Sequence, residues 1–266
     1  MQSSNCDEIS IWIDTPRGRT RVCLSVPNRP MRMSDIVPLA QRFTDIQVEQ
    51  AIAQEEAAGR SLTCRAGCGA CCRQLVPISA PEAFLLADHV ASLPPDQRDD
   101  SIARFGRLVE ELRVRAAMPA LQILARDYKQ TDLKKVAENY FSYGLPCPLL
   151  LDESCSVYDV RPISCRDYNV TSPAEWCIHP TEHTINKIPT PSGMSFALAR
   201  LAAKLTGNAP ELITLGLALD WAEDHAPLAF EEWPGRDLIR GFLDELKQLP
   251  WPFQADESMQ IEEDKN

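Results

Sequence analysis

The stretch Cys64-Arg65-Ala66-Gly67-Cys68-Gly69-Ala70-Cys71-Cys72 puts four thiols within nine residues. A second group follows well downstream: Cys147, Cys155, Cys165 and Cys177. Eight of the ten cysteines fall in these two groups. The first knot has two glycines and no apolar periodicity, so it reads as a loop, with Gly67 and Gly69 allowing backbone angles that turn successive thiols toward one centre. Whatever fold this chain adopts must therefore build its centre from loops.

Two chemistries use cysteines at such density, disulfide scaffolding and soft-metal binding. Disulfide scaffolds are typically small and secreted, whereas this chain has 266 residues, enough for a genuine core. No basic-then-apolar leader opens the sequence and no apolar run approaches the ~20 residues of a membrane helix. The expected location is the cytoplasm, where clustered cysteines are metal ligands or redox centres. With 27 Lys and Arg against 38 Asp and Glu, the net charge is −11. That argues against nucleic acid, which needs a basic face, and no membrane partner is expected.

The fold expected is mainly α (α+β), with helices packed around a loop-rich cysteine metal-binding core and a short N-terminal β-hairpin. Residues 1–30 hold the hairpin, with Ile9, Ile11 and Ile13 alternating with polar residues before a Pro16-Arg17-Gly18 turn and Val22, Leu24 and Val26. Cys6 and Cys23 belong to this segment and read as ordinary thiols. Residues 31–190 form the cysteine domain, with a helical insertion over 95–143. Within it, 34–59 reads as helix, with Thr44-x-x-Gln47 as a capping box and Gly59 as its stop. Ser79-x-x-Glu82 caps another helix, Pro94-Pro95 breaks it, and Ile102, Phe105, Leu108, Val109 and Leu112 share one face of the next. Residues 147–158 read as a hairpin with an acidic turn. Residues 191–253 are helical again, with Asn208-x-x-Glu211 as a cap, and 254–266 read as a disordered acidic tail.

Thiolate suits zinc and iron–sulfur centres, each of which takes four ligands. Cys64, Cys68, Cys71, Cys72, Cys147, Cys155, Cys165 and Cys177 thus fit two four-coordinate metals, a thiolate-bridged polynuclear site, or one cluster with spare thiols. Adjacent Cys71 and Cys72 cannot both ligate one metal without strain. His179 and His183 follow Cys177 and could add nitrogen ligands, although a solvated loop histidine is the plainer reading. Four thiolates around a divalent metal carry net negative charge, so flanking arginines are expected to offset it: Arg161 and Arg166 foremost, with Arg65, Arg73, Tyr158 and Asp167 behind them. The spacing Cys64-x3-Cys68-x2-Cys71 equals that of radical S-adenosylmethionine enzymes. Ala70 stands where those carry an aromatic residue, and no strand–helix alternation follows.

At these residues the sequence resembles the YkgJ-type cysteine-cluster family, a zinc- or iron-chelating domain. The likeness rests on Cys64 through Arg73 followed by Val76-Pro77-Ile78-Ser79, on Cys147-Pro148-Leu149-Leu150 and Cys155-Ser156-Val157-Tyr158, on Arg161-Pro162-Ile163-Ser164-Cys165-Arg166, and on Cys177 as a final cysteine. It covers roughly residues 60–180. The resemblance implies that the eight clustered cysteines are metal ligands holding zinc or iron, in a structural or chelating and transfer role. Flagellin lysine methylase relatives imply an alternative, a 4Fe-4S cluster in a redox protein or enzyme, although no glycine motif for S-adenosylmethionine is visible. The metal ion is the partner implied, and a protein partner is left open.

Overall fold

The computed structural model describes residues 6–15, 18–126, 132–190 and 193–248. Strands β1 (Cys6–Thr15) and β2 (Gly18–Pro27) form an antiparallel hairpin with Ile11 opposite Val22 and Ile9 opposite Leu24. Alternation puts Val22, Leu24 and Val26 on one buried face. Pro16 and Arg17 of the expected turn, and the acidic tail, lie outside the described residues.

A short strand β3 (Pro30–Arg32) leads through a 3-10 turn into α1 (Val37–Ala57). The Arg32 N–H donates to Asp35 at 2.9 Å, fixing that entry. Thr44 is therefore well inside the helix. Its hydroxyl donates to the Ala40 carbonyl at 2.9 Å, so the capping box expected at Thr44 is instead a back-bonded interior threonine. Gly59 follows the helix with a φ of 77°, as its expected stop.

Beyond the first knot, β4 (Pro77–Ile78) leads to α2 (Ala80–Ser92), and α3 (Pro95–Val114) starts at the second of the two prolines. Phe105, Leu108, Val109 and Leu112 are buried on one face of α3, but Ile102 is 50% exposed and does not join them. Helices α4 (Met118–Arg126) and α5 (Leu133–Ser142) complete the insertion, packing Leu121 and Tyr140 against α3. Then come the hairpin strands β5 (Leu150–Leu151) and β6 (Ser154–Cys155) and the five-residue α6 (Ile163–Asp167). Asp152 and Glu153 turn the hairpin with φ of 48° and 58°, the left-handed pair that such two-residue turns require.

Helix α7 (Met194–Thr206) is followed by a departure from expectation. Asn208 and Glu211 cap nothing: Asn208 donates to the Thr206 hydroxyl at 3.1 Å and Glu211 accepts from the Trp221 indole at 2.6 Å. Ile213, expected in a helix, lies in β7 (Ile213–Thr214), which pairs with β4, and helix resumes only at α8 (Ala218–Asp224). The pairing requirement of β4 overrides the local helical pattern. The short α9 (Ala226–Ala229), β8 (Glu232–Pro234), which pairs with β3, and α10 (Gly235–Lys247) are the last described elements.

One apolar cluster joins β2, α1, α6, α7 and α10, with the rings of Phe43 and Phe242 stacked at 6.3 Å. A second centres on α2 and α8 and reaches Cys147 and Cys155. The hairpin strand β2 and helix α10 thus pack on the helices that frame the cysteines. Among the described residues no helix is long and apolar enough to cross a membrane.

Glu245 of α10 is fully buried and clamped to α7 by Arg200 and Lys204. Burial pushes its pKa up, but Lys204 and Arg200 outweigh that and hold it below the ordinary range. A depressed carboxylate contributes stability above its unfolded pKa and loses it as pH falls through the folded one. Glu245→Ala is expected to cost about 1–3 kcal/mol at pH 7 in urea unfolding, the cost of stranding partners of a buried charge. The difference from wild type should shrink below about pH 4. An unchanged difference at acid pH would show that the clamp is not ionic.

Candidate metal centre

Four segments carry the eight thiols, the first knot, the hairpin segment with Cys147 and Cys155, α6 with Cys165 and a 3-10 turn with Cys177, and hydrogen bonds help bring them together. The first knot is anchored at its start, where the Thr63 N–H and hydroxyl donate to the Val170 carbonyl at 3.0 and 3.1 Å. Within it, turns closed by Cys68 N–H to Arg65 O and Cys72 N–H to Gly69 O wind the chain so that consecutive cysteines face inward. Gly67 has a φ of 82°, a left-handed conformation suited to glycine. Gly69 is needed for a different reason. A Cβ there would meet the Glu153 carbonyl oxygen and Leu150 Cδ1 at 2.6 Å each, so the knot lies directly against the acidic hairpin turn. Arg73 clasps the same turn, donating to both Glu153 carboxylate oxygens at 2.6 and 3.1 Å. Cys147 N–H donates to the Cys72 carbonyl at 2.7 Å, joining the two cysteine segments directly.

Cys165 sits on α6, which is tied down at both ends. Glu82 is completely enclosed. Its Oε2 accepts from the Ser79 N–H and hydroxyl, capping α2, while its Oε1 accepts from Ile163 N–H, capping α6. One carboxylate therefore fixes two helix starts. Desolvation pushes its pKa up against these hydrogen bonds. At the other end Arg166 makes a bidentate pair with Asp45 of α1, at 2.8 and 2.9 Å, and donates to the Arg161 and Asp159 carbonyls. Arg166 thus positions α6 and spends its guanidinium on Asp45.

Arg161 is the arginine directed at sulfur. It lies 3.9 Å above the Tyr158 ring and donates to the Tyr158 carbonyl at 2.9 Å. Burial raises the pKa of Cys64 and Cys155, and the bond to Cys72 and burial raise that of Cys71; the Arg161 charge opposes each rise. Arg104, from the helical insertion, does the same for Cys147 while donating to the Pro148 carbonyl at 2.7 Å. Nothing in the spacing of Arg104 pointed to this, because it belongs to a helix read only as packing. Arg65 is exposed.

The thiols themselves share one neighbourhood. Cys64, Cys68 and Cys71 pack with Cys177, Ala70 and Val170, so Cys177, last in sequence, stands beside the first knot. Cys147, Cys155 and Cys165 each interact electrostatically with Cys71, as do Cys64 and Cys177. Cys71 is therefore the point where both groups meet, and its thiol is hydrogen-bonded to that of Cys72. Loss of hydration pushes Cys147 up to about 12 and Cys177 to about 11, and drives Cys165 well above the ordinary thiol range. Cys71 is raised as well, first by its bond to Cys72 and then by burial.

Both histidines after Cys177 are exposed, as the plainer reading of the sequence has it. His179 points outward to Glu182 at 3.8 Å, and His183 stacks on Trp176 at 4.8 Å between ring centres. Tyr168 instead reaches the sulfurs, hydrogen-bonding with Cys177 while Gln74 donates to its hydroxyl at 3.2 Å. Lys187 lies 4.4 Å above its ring. Asp167 is buried near Glu82 and Asp45, and desolvation raises it to about 7.

The donor set is chemically uniform. It is sulfur, most of it half-buried, with the charges of Arg161, Arg104, Arg73 and Lys187 acting on it. Among the described residues no three His, Cys, Asp or Glu side chains are already closed into a ligand cage, so the thiols are gathered short of coordination geometry. Such a set fits a soft or borderline cation, whose charge would replace the thiol protons. Residues 63–187 match the family model CxxCxxCC, described as "Putative zinc- or iron-chelating domain". No curated protein and no solved structure matches the chain.

Two outcomes follow from this geometry. Gly69→Ala is expected to cost about 1–3 kcal/mol by overpacking the knot against the hairpin turn, read by urea unfolding. Gly106→Ala, in open space on α3, should instead be neutral or stabilising, by up to about 1 kcal/mol. Equal effects would mean that the knot–hairpin contact is slack. Separately, a raised thiol pKa means a protonated, unreactive thiol below it. In folded, chelator-treated protein at pH 8, iodoacetamide should label exposed Cys23 well before Cys147 or Cys177, with reactivity at the latter two rising toward alkaline pH. Equal labelling rates by peptide mass mapping would contradict this.

Proposed function

We propose, for a chain whose residues 63–187 belong to the zinc- or iron-chelating cysteine-cluster family, that its centre binds zinc or iron through thiolate alone, in a structural or chelating and transfer role. The observation that carries the reading is the gathering of thiols from four segments of the chain around Cys71, with the Arg161 charge acting on three of them. We assign Cys64, Cys68, Cys71 and Cys177 to one four-ligand centre, because these four pack together. Cys147, Cys155 and Cys165 form the second with Cys72, whose carbonyl holds the Cys147 amide. This division resolves the difficulty of adjacent Cys71 and Cys72, which then serve different metals.

The residues around the thiols supply what such a centre requires. Four thiolates on a divalent ion leave a net negative charge, and Arg161 and Arg104 offset it. Tyr168 hydrogen-bonds to Cys177 and orients it. When bound, the metal supplies the charge that lets these sulfurs stay deprotonated without mutual repulsion.

An iron–sulfur cluster in a redox protein or enzyme, a lysine methylase among the options, uses the same four-thiolate sets and is the second reading. What favours it is that thiols of both groups act on Cys71, which a bridged or polynuclear centre would share.

Elemental analysis of protein purified without oxygen separates these readings. The first predicts a colourless protein with about two zinc ions per chain. Cys68→Ser and Cys177→Ser should then remove the same ion, and Cys155→Ser and Cys165→Ser the other. Arg161→Met should weaken metal retention about 10–100-fold in a chelator competition. Brown protein with acid-labile sulfide selects the second reading. Protein that folds, and holds no metal whether grown with zinc or iron, overturns both.

A further inference from the structure

A cavity of about 280 Å³ opens between α2, α7 and the loop before β7, and no cysteine lines it. Its floor is alanine: Ala80 of α2 and Ala199, Ala202 and Ala203 of α7, all buried. The three on α7 share one face through i, i+3 and i+4 spacing, so the small side chains leave room where α7 faces α2. Phe84 and Trp221 form the wall, their rings 5.2 Å apart and tilted by 55°. Trp221 is held on two sides. Its indole donates to Glu211 Oε1 at 2.6 Å, and its ring stacks on His225 at 4.1 Å.

The rim carries one charge of each sign, Arg126 and Glu211. A backbone hydrogen bond from Leu212 N–H to the Ala125 carbonyl, at 3.1 Å, sets these two residues side by side. No ion pair among the described residues joins them. The indole occupies Glu211 Oε1, and Oε2 is the oxygen offered to a ligand.

We propose that this cavity binds a small zwitterion of the amino-acid type, with its carboxylate on Arg126, its ammonium on Glu211 and an apolar side chain against the alanine floor and Trp221. A simple anion would leave Glu211 facing like charge, and a simple cation would do the same to Arg126, whereas a zwitterion complements both. The volume lies at the small end of the ~300–1,000 Å³ usual for ligand pockets, which suits a molecule of this size. Trp221 and Glu211 are pre-set by their mutual hydrogen bond, so little ordering is needed on binding. The site stands independently of the metal reading.

The test is calorimetric titration of the full metal-loaded chain with L-phenylalanine, L-leucine, 3-phenylpropanoate and 2-phenylethylamine. At least one of the two amino acids should bind saturably. The acid and the amine should bind about tenfold or more weakly than it, because each leaves one rim charge unpaired. Ala209→Trp, at an exposed position on the cavity wall, should abolish binding while leaving the melting temperature and metal content unchanged. Arg126→Gln should weaken it about tenfold. The proposal fails if neither amino acid binds the folded chain, if the acid or the amine binds as tightly as the amino acid, or if Ala209→Trp leaves affinity intact.

Discussion

Sulfur gathered in a desolvated place must either stay protonated or meet a cation. That constraint governs the structure. Thiolates in mutual contact repel, and burial withholds the water that would otherwise separate their charges. The thiols around Cys71 meet both penalties at once, and their pKa values are pushed up accordingly, which makes them weaker acids. Four basic groups act on them, Arg161, Arg104, Arg73 and Lys187, and Arg73 is already paired with Glu153, too little charge for eight thiolates. In the proposed reading a bound metal supplies the remaining positive charge, and the surrounding fold is the frame that brings the thiols together.

That frame consists mostly of polar ties. Loops have no apolar face to bury, so they are positioned by hydrogen bonds and close backbone contacts. Glu82 links the start of α2 to the start of α6, Arg166 links α6 to α1 through Asp45, and Gly69 lets the first knot rest on the hairpin that presents Cys155. Each tie spans a long sequence separation, and each uses a group that is costly to strand: an enclosed carboxylate, a buried guanidinium, a backbone without room for a methyl group. The apolar clusters lie outside this layer and hold its anchors, α1 and α2, in place.

The sequence disclosed much of this and hid the rest for identifiable reasons. Local signals were readable: the alternating hairpin, the Ser79–Glu82 cap, the proline break before α3 and the acidic turn at 152–153. The same kind of signal misled at Thr44 and Asn208, because a capping pattern says nothing about whether the helix has already begun or whether a strand partner will claim the segment. Ile102 fits the apolar spacing of α3 yet lies off the side of its contact face, where Ser101 is the buried residue. Sequence order set Cys177 with the second group, whereas the loop it closes folds back beside Cys64 and Cys68. Arg161 and Arg166 look equivalent on paper. Only the position of Asp45 shows that one is spent on α1 while the other faces sulfur. Arg104 could not be singled out, since its approach depends on how a whole helix is docked.

X-ray absorption at the edge of the bound metal tests the central claim most directly. The account predicts a first coordination shell of sulfur alone, four scatterers per metal at about 2.3 Å for zinc. A shell containing two or more nitrogen or oxygen ligands at about 2.0–2.1 Å would contradict it, since it would mean that histidine, carboxylate or solvent does the work assigned to these cysteines.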